Sequence, residues 1–198
     1  DYEFPNAACY RPIFVGEKCA NALKNESFYQ DNSGINIAEK NSSFCELTGL
    51  YWAWQNGIFK NNQYVGLVHY RRYFAGKKLC LKKQHIASER ELLSLLEKYE
   101  AILPKKRNYF IESIYSHYQH AHHVKDLNCT REIISELHPE YITSFDAIMQ
   151  GRKIHIYNMF VMSSENASEY CQWLFPILFE LEKRIDITQY DNYQKRVF

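Results

Sequence analysis

Glycine is scarce in this chain, with 7 in 198 residues against a usual share of roughly 7%. The glycines lie far apart, so neither the dinucleotide pattern G-x-G-x-x-G nor a Walker phosphate loop can be written. No two of the six cysteines fall within nine positions of each other, which excludes C-x-x-C zinc and redox motifs. Any phosphate group bound here must therefore be held by side chains or by helix N-termini.

Aspartate is also scarce, and the six Asp residues never form the pattern Asp-x-Asp. Metal-dependent nucleotide-sugar transferases use that pattern to hold Mn²⁺ or Mg²⁺ through oxygen ligands. We therefore expect no required cofactor, with Mn²⁺ or Mg²⁺ as the open alternative and no metal ligand assigned. The longest run without a charged residue has 13 residues (47–59), whereas a membrane-spanning helix needs roughly 20 apolar residues.

Charge is distributed unevenly behind a net value of +1. Residues 47–88 contain no Asp or Glu and carry +7, which leaves −6 for the rest of the chain. A second basic cluster, Lys105-Lys106-Arg107, follows. A run of like charge is most often a solvated surface. We favour an anion site, because Arg71 and Arg72 directly follow a strand candidate, and open α/β sheets bind ligands at the carboxyl ends of strands.

Strand and helix patterns alternate along the chain and predict an α/β fold, with an open, mixed, mostly parallel sheet flanked by helices. Short apolar runs predict the strands, and apolar residues at helical spacing predict the helices. Two capping boxes, Ser43–Glu46 and Ser88–Glu91, predict where two helices begin. The predicted strands are residues 12–16, 64–69, 101–103 and 154–162, and the predicted helices are residues 44–58, 89–99, 111–120, 139–150 and 165–184.

The segment His69-Tyr70-Arg71-Arg72-Tyr73 carries the most specific chemistry. A guanidinium presents a fork of donors that suits phosphate oxygens, and the tyrosines offer stacking faces for a base or a sugar. Two adjacent arginines cannot both be buried without partners, because an unpaired buried charge is too costly. The alternative is a structural ion pair with a carboxylate of the core.

Three histidines, His117, His120 and His123, form an i, i+3, i+6 row if one helix continues through them. Such a row could bind a metal or contact a phosphate. The metalloprotease pattern H-E-x-x-H is absent, so we prefer a polar wall of the active site to a metal site. Exposed histidines favoured by the dipole at a helix end are an equal alternative.

Four strings of the sequence together resemble a bacterial family that was once catalogued as a domain of unknown function. They are Cys45–Asn56 (CELTGLYWAWQN), Val65–Phe74 (VGLVHYRRYF), Leu103–Tyr118 (LPKKRNYFIESIYSHY) and Tyr157–Met162 (YNMFVM). The family is associated with capsular-polysaccharide and exopolysaccharide synthesis, and some members are galactosyl- or galactofuranosyltransferases. The resemblance covers nearly the whole chain and implies a GT-A-like α/β glycosyltransferase that uses a nucleotide sugar.

The resemblance also implies roles for single residues. His69, Arg71 and Arg72 stand where other GT-A enzymes have Asp-x-Asp, and they would stabilise the leaving diphosphate. Asn158 matches an asparagine that reaches the donor sugar in glycogenin-like transferases. Asp191 is expected on the acceptor side as the base, and the histidine row as the acceptor wall. The other donor-binding candidates are Asp31, Asn36, Lys40, Tyr70, Lys105 and Arg107.

The same resemblance bears on the domain boundaries. Members of the family have a further short strand before residues 12–16 and a further helix with a glutamate after Phe198. Residues 1–198 are therefore expected to form a single glycosyltransferase domain that lacks its native N-terminal strand and C-terminal helix. Part of the donor site or the base would then lie outside these residues.

The predicted function is transfer of a sugar from a nucleotide diphosphate sugar to an oligosaccharide or lipid-linked acceptor, with UDP-galactose or UDP-galactofuranose favoured as donor. A cytoplasmic protein at the inner face of the plasma membrane, in peripheral contact with the membrane and without a nucleic-acid partner, fits this function. The main alternative is a noncatalytic domain that binds anionic glycans or nucleic acid through residues 47–88. A metal-dependent hydrolase built on residues 117–123 is the third interpretation.

Overall fold

The computed structural model describes residues 3–16 and 28–198. Contacts within the chain divide it into two compact units. The first unit comprises the described residues up to Asn41, Glu46–Pro104 and Tyr157–Glu169, and the second comprises Ser42–Cys45, Lys105–Ile156 and Tyr170–Phe198. A single domain over residues 1–198 stays a prediction. No helix of the described part is long and apolar enough to cross a membrane.

Strands and helices alternate along the described residues, which confirms the predicted α/β class. The strands are β1 (Ile13–Phe14), β2 (Tyr29–Gln30), β3 (Tyr64–Leu67), β4 (Ala75–Leu81), β5 (Gln84–Ile86), β6 (Ala101–Ile102), β7 (Arg107–Asn108), β8 (Lys153–Ile154) and β9 (Phe160–Ser163). The α-helices are α1 (Asn41–Phe44), α2 (Leu47–Gln55), α3 (Glu89–Leu96), α4 (Ile114–Ala121), α5 (Val124–Leu137), α6 (Ile142–Gln150) and α7 (Ser164–Arg184). Short 3-10 helices cover Ala38–Lys40 and Pro139–Tyr141.

The first unit contains a three-stranded sheet in the order β3-β9-β6, and both outer strands run antiparallel to β9. The described strands pair in parallel only between β1 and β2, whereas the β4–β5 and β7–β8 pairs are antiparallel. The strand directions therefore differ from the mostly parallel sheet that we expected. That expectation assumed crossovers between successive strands, but β3 finds its partner in a strand from the C-terminal half of the chain.

The sheet of the first unit is held by a small core of Ala87, Leu92 and Val161, which joins the end of the β4–β5 hairpin, α3 and β9. The predicted capping box at the start of α3 is present, because the Ser88 N–H donates to the Glu91 carboxylate at 2.9 Å. This box satisfies donors that the first turn of a helix leaves unpaired. The core and the cap together fix the strands whose ends carry the candidate site.

The second unit is helical, with the short β7–β8 pair at one edge. Its core consists of Ile133 and Ile134 from α5 and Ile177 and Leu181 from α7. Helix α5 has no counterpart among the predicted helices. Between Leu127 and Ile133 its only apolar residue is Cys129, so the helical period is weak over most of its length.

Two predicted elements differ from the structure in ways that matter for the site. The capping box Ser43–Glu46 does not form: Ser43 lies within α1, and Glu46 occupies the N-cap position of α2 without a side-chain capping bond. The predicted strand 154–162 is divided into β8 and β9, and between them Tyr157 and Asn158 adopt φ values of 83° and 53°. Glu46 and the residues at this turn are thereby available for other contacts.

Candidate functional site

The chain reverses direction immediately after β3. Arg72 N–H donates to the His69 carbonyl at 3.0 Å, and the two residues form an isolated β-bridge. β3 runs antiparallel to β9 with Leu67 opposite Phe160. In an antiparallel pair the end of one strand lies beside the start of the other. The turn at 69–72 therefore meets the turn at 157–158 at one end of the sheet.

Three side chains tie these two turns to the start of α2. His69 Nε2 contacts the Tyr157 carbonyl and lies 3.3 Å from Glu46 Oε1. Asn158 Nδ2 donates to the same carboxylate oxygen at 3.0 Å. The His69 side chain is only 16% exposed, so these contacts hold it inside the first unit. The Glu46 carboxylate thus positions both His69 and Asn158.

The two arginines of the turn contact aromatic rings. The Arg71 guanidinium lies 4.7 Å from the centre of the Tyr70 ring, and that of Arg72 lies 4.3 Å from the Tyr157 ring. Both arginines are exposed, and within the described residues neither pairs with a carboxylate. A guanidinium over a ring face keeps its in-plane N–H donors available. The structural ion pair considered for these arginines is therefore not formed in the described residues, and two cations remain open to an anion.

The turn at 157–158 is conformationally unusual, because two successive residues with side chains have positive φ values. Such conformations cost about 1–3 kcal/mol each and persist only when surrounding contacts determine them. Here the Tyr157 carbonyl contacts His69, its ring lies under Arg72, and Asn158 is held by Glu46. Strain of this kind clusters at functional sites, which adds to the case for this end of the sheet.

Asp31 follows β2 at the carboxyl end of the parallel β1–β2 pair and is buried. Its Oδ1 accepts the Gly16 N–H at 2.9 Å, while Oδ2 has no hydrogen-bond partner among the described residues. Burial raises the pKa of the Asp31 carboxyl, and the Thr48 hydroxyl and the Gly16 N–H oppose that rise. Gly16 has φ 82°, and a Cβ there would lie 2.8 Å from Asn41 Oδ1. Asp31 therefore orders this loop, and donor binding by it stays a prediction.

Asn36 and Lys40 lie in the loop that follows. Asn36 Oδ1 accepts the Ala38 N–H at 3.2 Å, and its Nδ2 donates to the Gly34 carbonyl at 3.0 Å. These bonds begin the 3-10 helix that ends at the half-buried Lys40. Asn56 also fixes the loop by bonding both backbone groups of Ile35, at 3.1 Å and 2.7 Å. The loop is ordered by its own Asn36 and by Asn56 of the segment that follows α2, and its role in donor binding stays a prediction.

The second unit contains a polar cluster around Glu112. Ser113 is the N-cap of helix α4, and its hydroxyl accepts the Ser116 N–H at 3.1 Å. Glu112 bonds His117 Nδ1 through one carboxylate oxygen and His120 Nδ1 through the other, both at 2.9 Å. The hydrogen bond from His117, followed by that from His120, lowers the pKa of Glu112 against an opposing effect of desolvation. Two of the three predicted histidines are thus brought together by one carboxylate.

An aromatic row continues from this cluster toward the basic segment. The His117 ring stacks on Tyr109 with centroids 4.0 Å apart, and the Arg107 guanidinium lies 5.3 Å from the centre of the Tyr109 ring. Lys105 is exposed just before β7. The flat surfaces of such a row suit a sugar ring, and the arginine and lysine keep their charges free for an anion. Donor binding by Lys105 and Arg107 stays a prediction.

His123 does not belong to the predicted row. Helix α4 ends at Ala121, and His123 is the N-cap of α5, with its ring 4.2 Å from that of Tyr190. The helix break rotates His123 away from the face that His117 and His120 share. Across residues 3–16 and 28–198, no three His, Cys, Asp or Glu side chains are grouped so that they could hold a metal ion. The hydrolase interpretation has no support in this geometry.

Asp191, the predicted base, is exposed near the C-terminus. Its Oδ1 accepts the backbone N–H groups of Tyr193 and Gln194, both at 2.8 Å. These bonds, that of Gln194 first, lower the pKa of the Asp191 carboxyl. Hydrogen bonds that stabilise a carboxylate make it a weaker base. The assignment of Asp191 as the base stays a prediction.

Two glutamates of these clusters, Glu46 and Glu112, were not among the predicted residues. Glu112 could have been found, because it precedes the N-cap Ser113 and His117 is the fourth helical residue. These two positions face each other in a hydrophobic staple, and here they carry a polar pair instead. Glu46 had a competing explanation, since S-x-x-E before an apolar run usually marks a capping box.

A sizeable cavity of the first unit does not contain the predicted site residues. It measures about 390 Å³ and lies along β3 and α2. Its lining is mixed, with apolar surface from Leu50, Trp52 and Phe160 and polar groups that include Asn62. His69 and Tyr70 line a much smaller cavity of about 90 Å³. The arginine turn is thus an exposed surface at the end of the sheet. The charged residues that line the 390 Å³ cavity are Arg11 and Glu89, and Arg71 and Arg72 are not among its lining residues.

Comparison with known proteins places the chain in a family. Residues 1–198 match the family model described as domain of unknown function DUF4422. The chain belongs to this family. Among solved structures it is similar to the apo structure of the WbbM bifunctional glycosyltransferase, with 31% identity and a TM-score of 0.86 over 98% of this chain. The chain spans 38% of that protein's length. No curated protein matches the sequence.

The DUF4422 match and the structural likeness confirm the family resemblance that the four sequence strings indicated. They also confirm the expected fold class, because the described α/β structure superimposes on a glycosyltransferase of known structure. The match extends over the segments that carry His69–Arg72 and Tyr157–Asn158, since it covers almost the whole chain.

Proposed function

We propose that this DUF4422 chain is a glycosyltransferase whose first unit holds the diphosphate of a nucleotide sugar with Arg71 and Arg72. The observation that carries the proposal is the pair of exposed guanidiniums at the end of β3, each lying over an aromatic ring and neither paired with a carboxylate of the described residues. The likeness to a bifunctional glycosyltransferase supports the reaction class.

The chemistry required of this site is stabilisation of the charge that develops on the leaving diphosphate. Positively charged donors fixed before the reaction can supply it without reorganisation. Arginine forks match the geometry of phosphate oxygens, so Arg71 and Arg72 take the role that a divalent metal has in other enzymes. A bound Mn²⁺ or Mg²⁺ is the alternative. Tyr70 offers a ring face to the nucleoside or the sugar.

Other residues would orient the donor and the acceptor. His69 and Glu46 fix the turn, and the Asn158 amide, held at 3.0 Å by Glu46, faces the same end of the sheet. In the second unit, the cluster of Glu112, His117 and His120 is our candidate for hydrogen bonds to acceptor hydroxyls. Asp31, Asn36, Lys40, Lys105, Arg107 and Asp191 keep the donor and base roles predicted for them. His123 lies at the start of α5, outside the row formed by His117 and His120, and is not assigned to the acceptor wall.

The finer identity of the reaction is part of the same proposal. UDP-galactose or UDP-galactofuranose is the favoured donor, and the acceptor is an oligosaccharide or a lipid-linked glycan of capsular or exopolysaccharide synthesis. A nucleotide-sugar donor places the reaction in the cytoplasm, at the inner face of the plasma membrane where a lipid-linked acceptor is found. The basis is the resemblance of the four sequence strings to such enzymes.

Calorimetric titration with UDP and UDP-galactose, with and without EDTA, tests the arginine site. Loss of a charge-assisted hydrogen bond costs about 1.5–3 kcal/mol, so Arg71→Ala or Arg72→Ala should weaken binding about 10- to 100-fold. The matched control is Lys82→Ala with Lys83→Ala, an exposed basic pair at the tip of the β4–β5 hairpin. It should change the affinity by less than about twofold at moderate salt.

Three outcomes would contradict the proposal. Binding that vanishes in EDTA would assign the diphosphate to a metal ion. Wild-type affinity in both arginine variants would remove the assigned site. If no nucleotide binds while anionic oligosaccharides bind with a steep dependence on salt, the noncatalytic alternative is favoured, and its surface would be the hairpin that carries Lys77, Lys78, Lys82 and Lys83.

A further inference from the structure

The second unit exposes two neighbouring apolar side chains at a tip formed by Tyr109, Phe110 and Ile111. Phe110 is 72% exposed and Ile111 is 91% exposed. They have the highest exposures of all large hydrophobic side chains in the described residues. Single exposed hydrophobic residues are common on protein surfaces. An adjacent pair that projects almost entirely into solvent has no partner within its own unit.

Hydrogen bonds hold this tip in a fixed shape. The Ile111 N–H donates to the Tyr109 carbonyl at 2.6 Å, which closes a three-residue turn around Phe110 with φ 55°. The Phe110 N–H donates to Asn108 Oδ1, and the Phe110 carbonyl accepts from Arg152 Nη1, both at 3.0 Å. Tyr109 N–H further donates to the Arg152 carbonyl at 2.9 Å. Phe110 and Ile111 cannot fold back onto the unit without breaking these bonds.

The charges around the tip are predominantly positive. Five exposed basic residues lie on the strand pair that carries the tip and on the segment leading into it: Lys105, Lys106, Arg107, Arg152 and Lys153. The nearest acidic residue along the chain, Glu112, is engaged by His117 and His120. We call these five basic residues the basic collar. An apolar tip surrounded by them is complementary to a surface that is apolar inside and carries negative charge outside.

We propose that the tip at 109–111 inserts into the interface of a bilayer that contains anionic phospholipid, while the basic residues around it contact the lipid phosphates. Stable peripheral anchoring takes two signals, and here they are the two apolar side chains and the basic collar. We choose a bilayer rather than an apolar protein surface because five clustered cations match the dense negative charge of a layer of anionic lipid phosphates. The proposal does not depend on the transferase reaction, since it concerns binding alone.

Co-sedimentation with vesicles of phosphatidylethanolamine and phosphatidylglycerol, compared with vesicles of phosphatidylcholine alone, tests this surface. The protein should bind the anionic vesicles and be released by salt. The double variant F110S/I111S should bind about tenfold more weakly or worse, because it removes the inserted apolar area. The matched control is L137S/I148S, which changes two exposed apolar residues elsewhere in the same unit, 44% and 49% exposed, and should bind as the wild type does.

The basic collar is tested by K105A/K106A, which should weaken binding to anionic vesicles several-fold and reduce its salt dependence. An exposed lysine pair of the first unit, changed in K82A/K83A, is the control and should have no effect. Insertion is read directly from F110W, whose added fluorescence should be quenched by brominated phospholipid. Circular dichroism confirms that each variant is folded.

Failure of the wild-type protein to bind anionic vesicles overturns the proposal, as does equal binding to phosphatidylcholine alone. Equal losses in F110S/I111S and in L137S/I148S also overturn it, because the tip would then have no special role. Vesicle binding without quenching of F110W would place the contact elsewhere on the chain and likewise reject the tip.

Discussion

At the scale of single residues, the proposed donor site depends on cations held by aromatic rings and on a histidine held by backbone and carboxylate. A guanidinium over a ring is fixed in direction but keeps its charge, whereas one paired with a carboxylate is largely neutralised. Arg71 and Arg72 are of the first kind, and the ion pairs of Arg131 with Asp146 and of Arg184 with Glu136 are of the second. This contrast separates anion-binding arginines from structural ones in the same chain.

Glu46 should act as a positioning residue for the site. Removing its carboxylate in Glu46→Ala frees His69 and Asn158, and misplacement of such groups should lower kcat about 10- to 100-fold with little change in the affinity for UDP. Glu46→Gln keeps an acceptor for Asn158 and should lose less. Steady-state kinetics of both variants is the measurement, with the exposed Glu97→Gln as control. A loss of UDP affinity equal to the loss of kcat would contradict a positioning role.

Glu112 should contribute a pH-dependent part of the stability of the second unit. Hydrogen bonds from His117 and His120 hold its pKa below the ordinary value of 4.5, so the folded state binds this proton less readily than the unfolded state. The contribution is therefore complete above about pH 4.5 and is lost as the pH falls through the lowered folded pKa. Melting temperatures of the wild type and Glu112→Gln, measured from about pH 7 to pH 3, should differ at the upper end and converge at the lower.

The control for Glu112 is Glu132→Gln, an exposed glutamate of α5. It should leave the shape of the pH profile unchanged. A difference between the wild type and Glu112→Gln that persists undiminished at the acid end would show that the side chain acts by packing rather than through its charge.

At the scale of helices and strands, the sequence predicted where an element lies along the chain better than it predicted which strands pair with each other. The strand at 64–69, the capped helix at 89 and the long helix at 165–184 were all predictable, because their signals are local: an apolar run, an S-x-x-E box and a helical period. The pairing of β3 with β9 and the split between β8 and β9 were not, because they depend on contacts distant in sequence. Asn158 was therefore predicted as a residue but placed on a strand rather than on a left-handed turn.

The same limits apply to the candidate site. The arginines were predictable from their position after a strand, whereas the contact of Asn158 with Glu46 joins residues 112 positions apart in the chain. The histidine row failed at His123 because a helix break two residues earlier has no strong local signal such as Gly or Pro. The contact of Glu112 with His117 could have been predicted only by recognising that these two residues face each other across the start of α4.

The capping box of α3 gives a prediction for stability at this scale. Ser88→Ala removes the hydroxyl that bonds Glu91 at 2.7 Å and leaves the first turn with an unpaired donor, so the free energy of unfolding should fall by about 0.5–2 kcal/mol. Ser94→Ala, in the exposed middle of the same helix, is the control and should be neutral or slightly stabilising. Denaturant unfolding curves measure both. Equal effects of the two substitutions would mean that the cap contributes nothing.

At the scale of the whole molecule, a near-neutral chain concentrates positive charge in one segment, residues 47–88. The acid-free segment 47–88 carries +7, and it contains β3, the arginine turn and the β4–β5 hairpin. A local excess of charge of one sign raises the concentration of oppositely charged ligands around it. The long-range field and the direct contacts of Arg71 and Arg72 should therefore contribute separately to nucleotide binding, and salt can separate them.

The affinity for UDP should fall as ionic strength rises, because the screening length shortens from about 10 Å at 0.1 M salt to about 3 Å at 1 M. Replacing the hairpin lysines 77, 78, 82 and 83 by alanine removes positive charge that attracts UDP from a distance, but it removes no group that contacts UDP. The substitution should therefore flatten the salt dependence of the affinity and leave the affinity at high salt unchanged. Arg71→Ala should instead weaken binding at every salt concentration, because a direct hydrogen bond is screened much less than a distant charge. Titrations across a salt series measure both variants. If the defect of Arg71→Ala disappeared at high salt, Arg71 would act only through the field, and the contact between its guanidinium and the diphosphate would be ruled out.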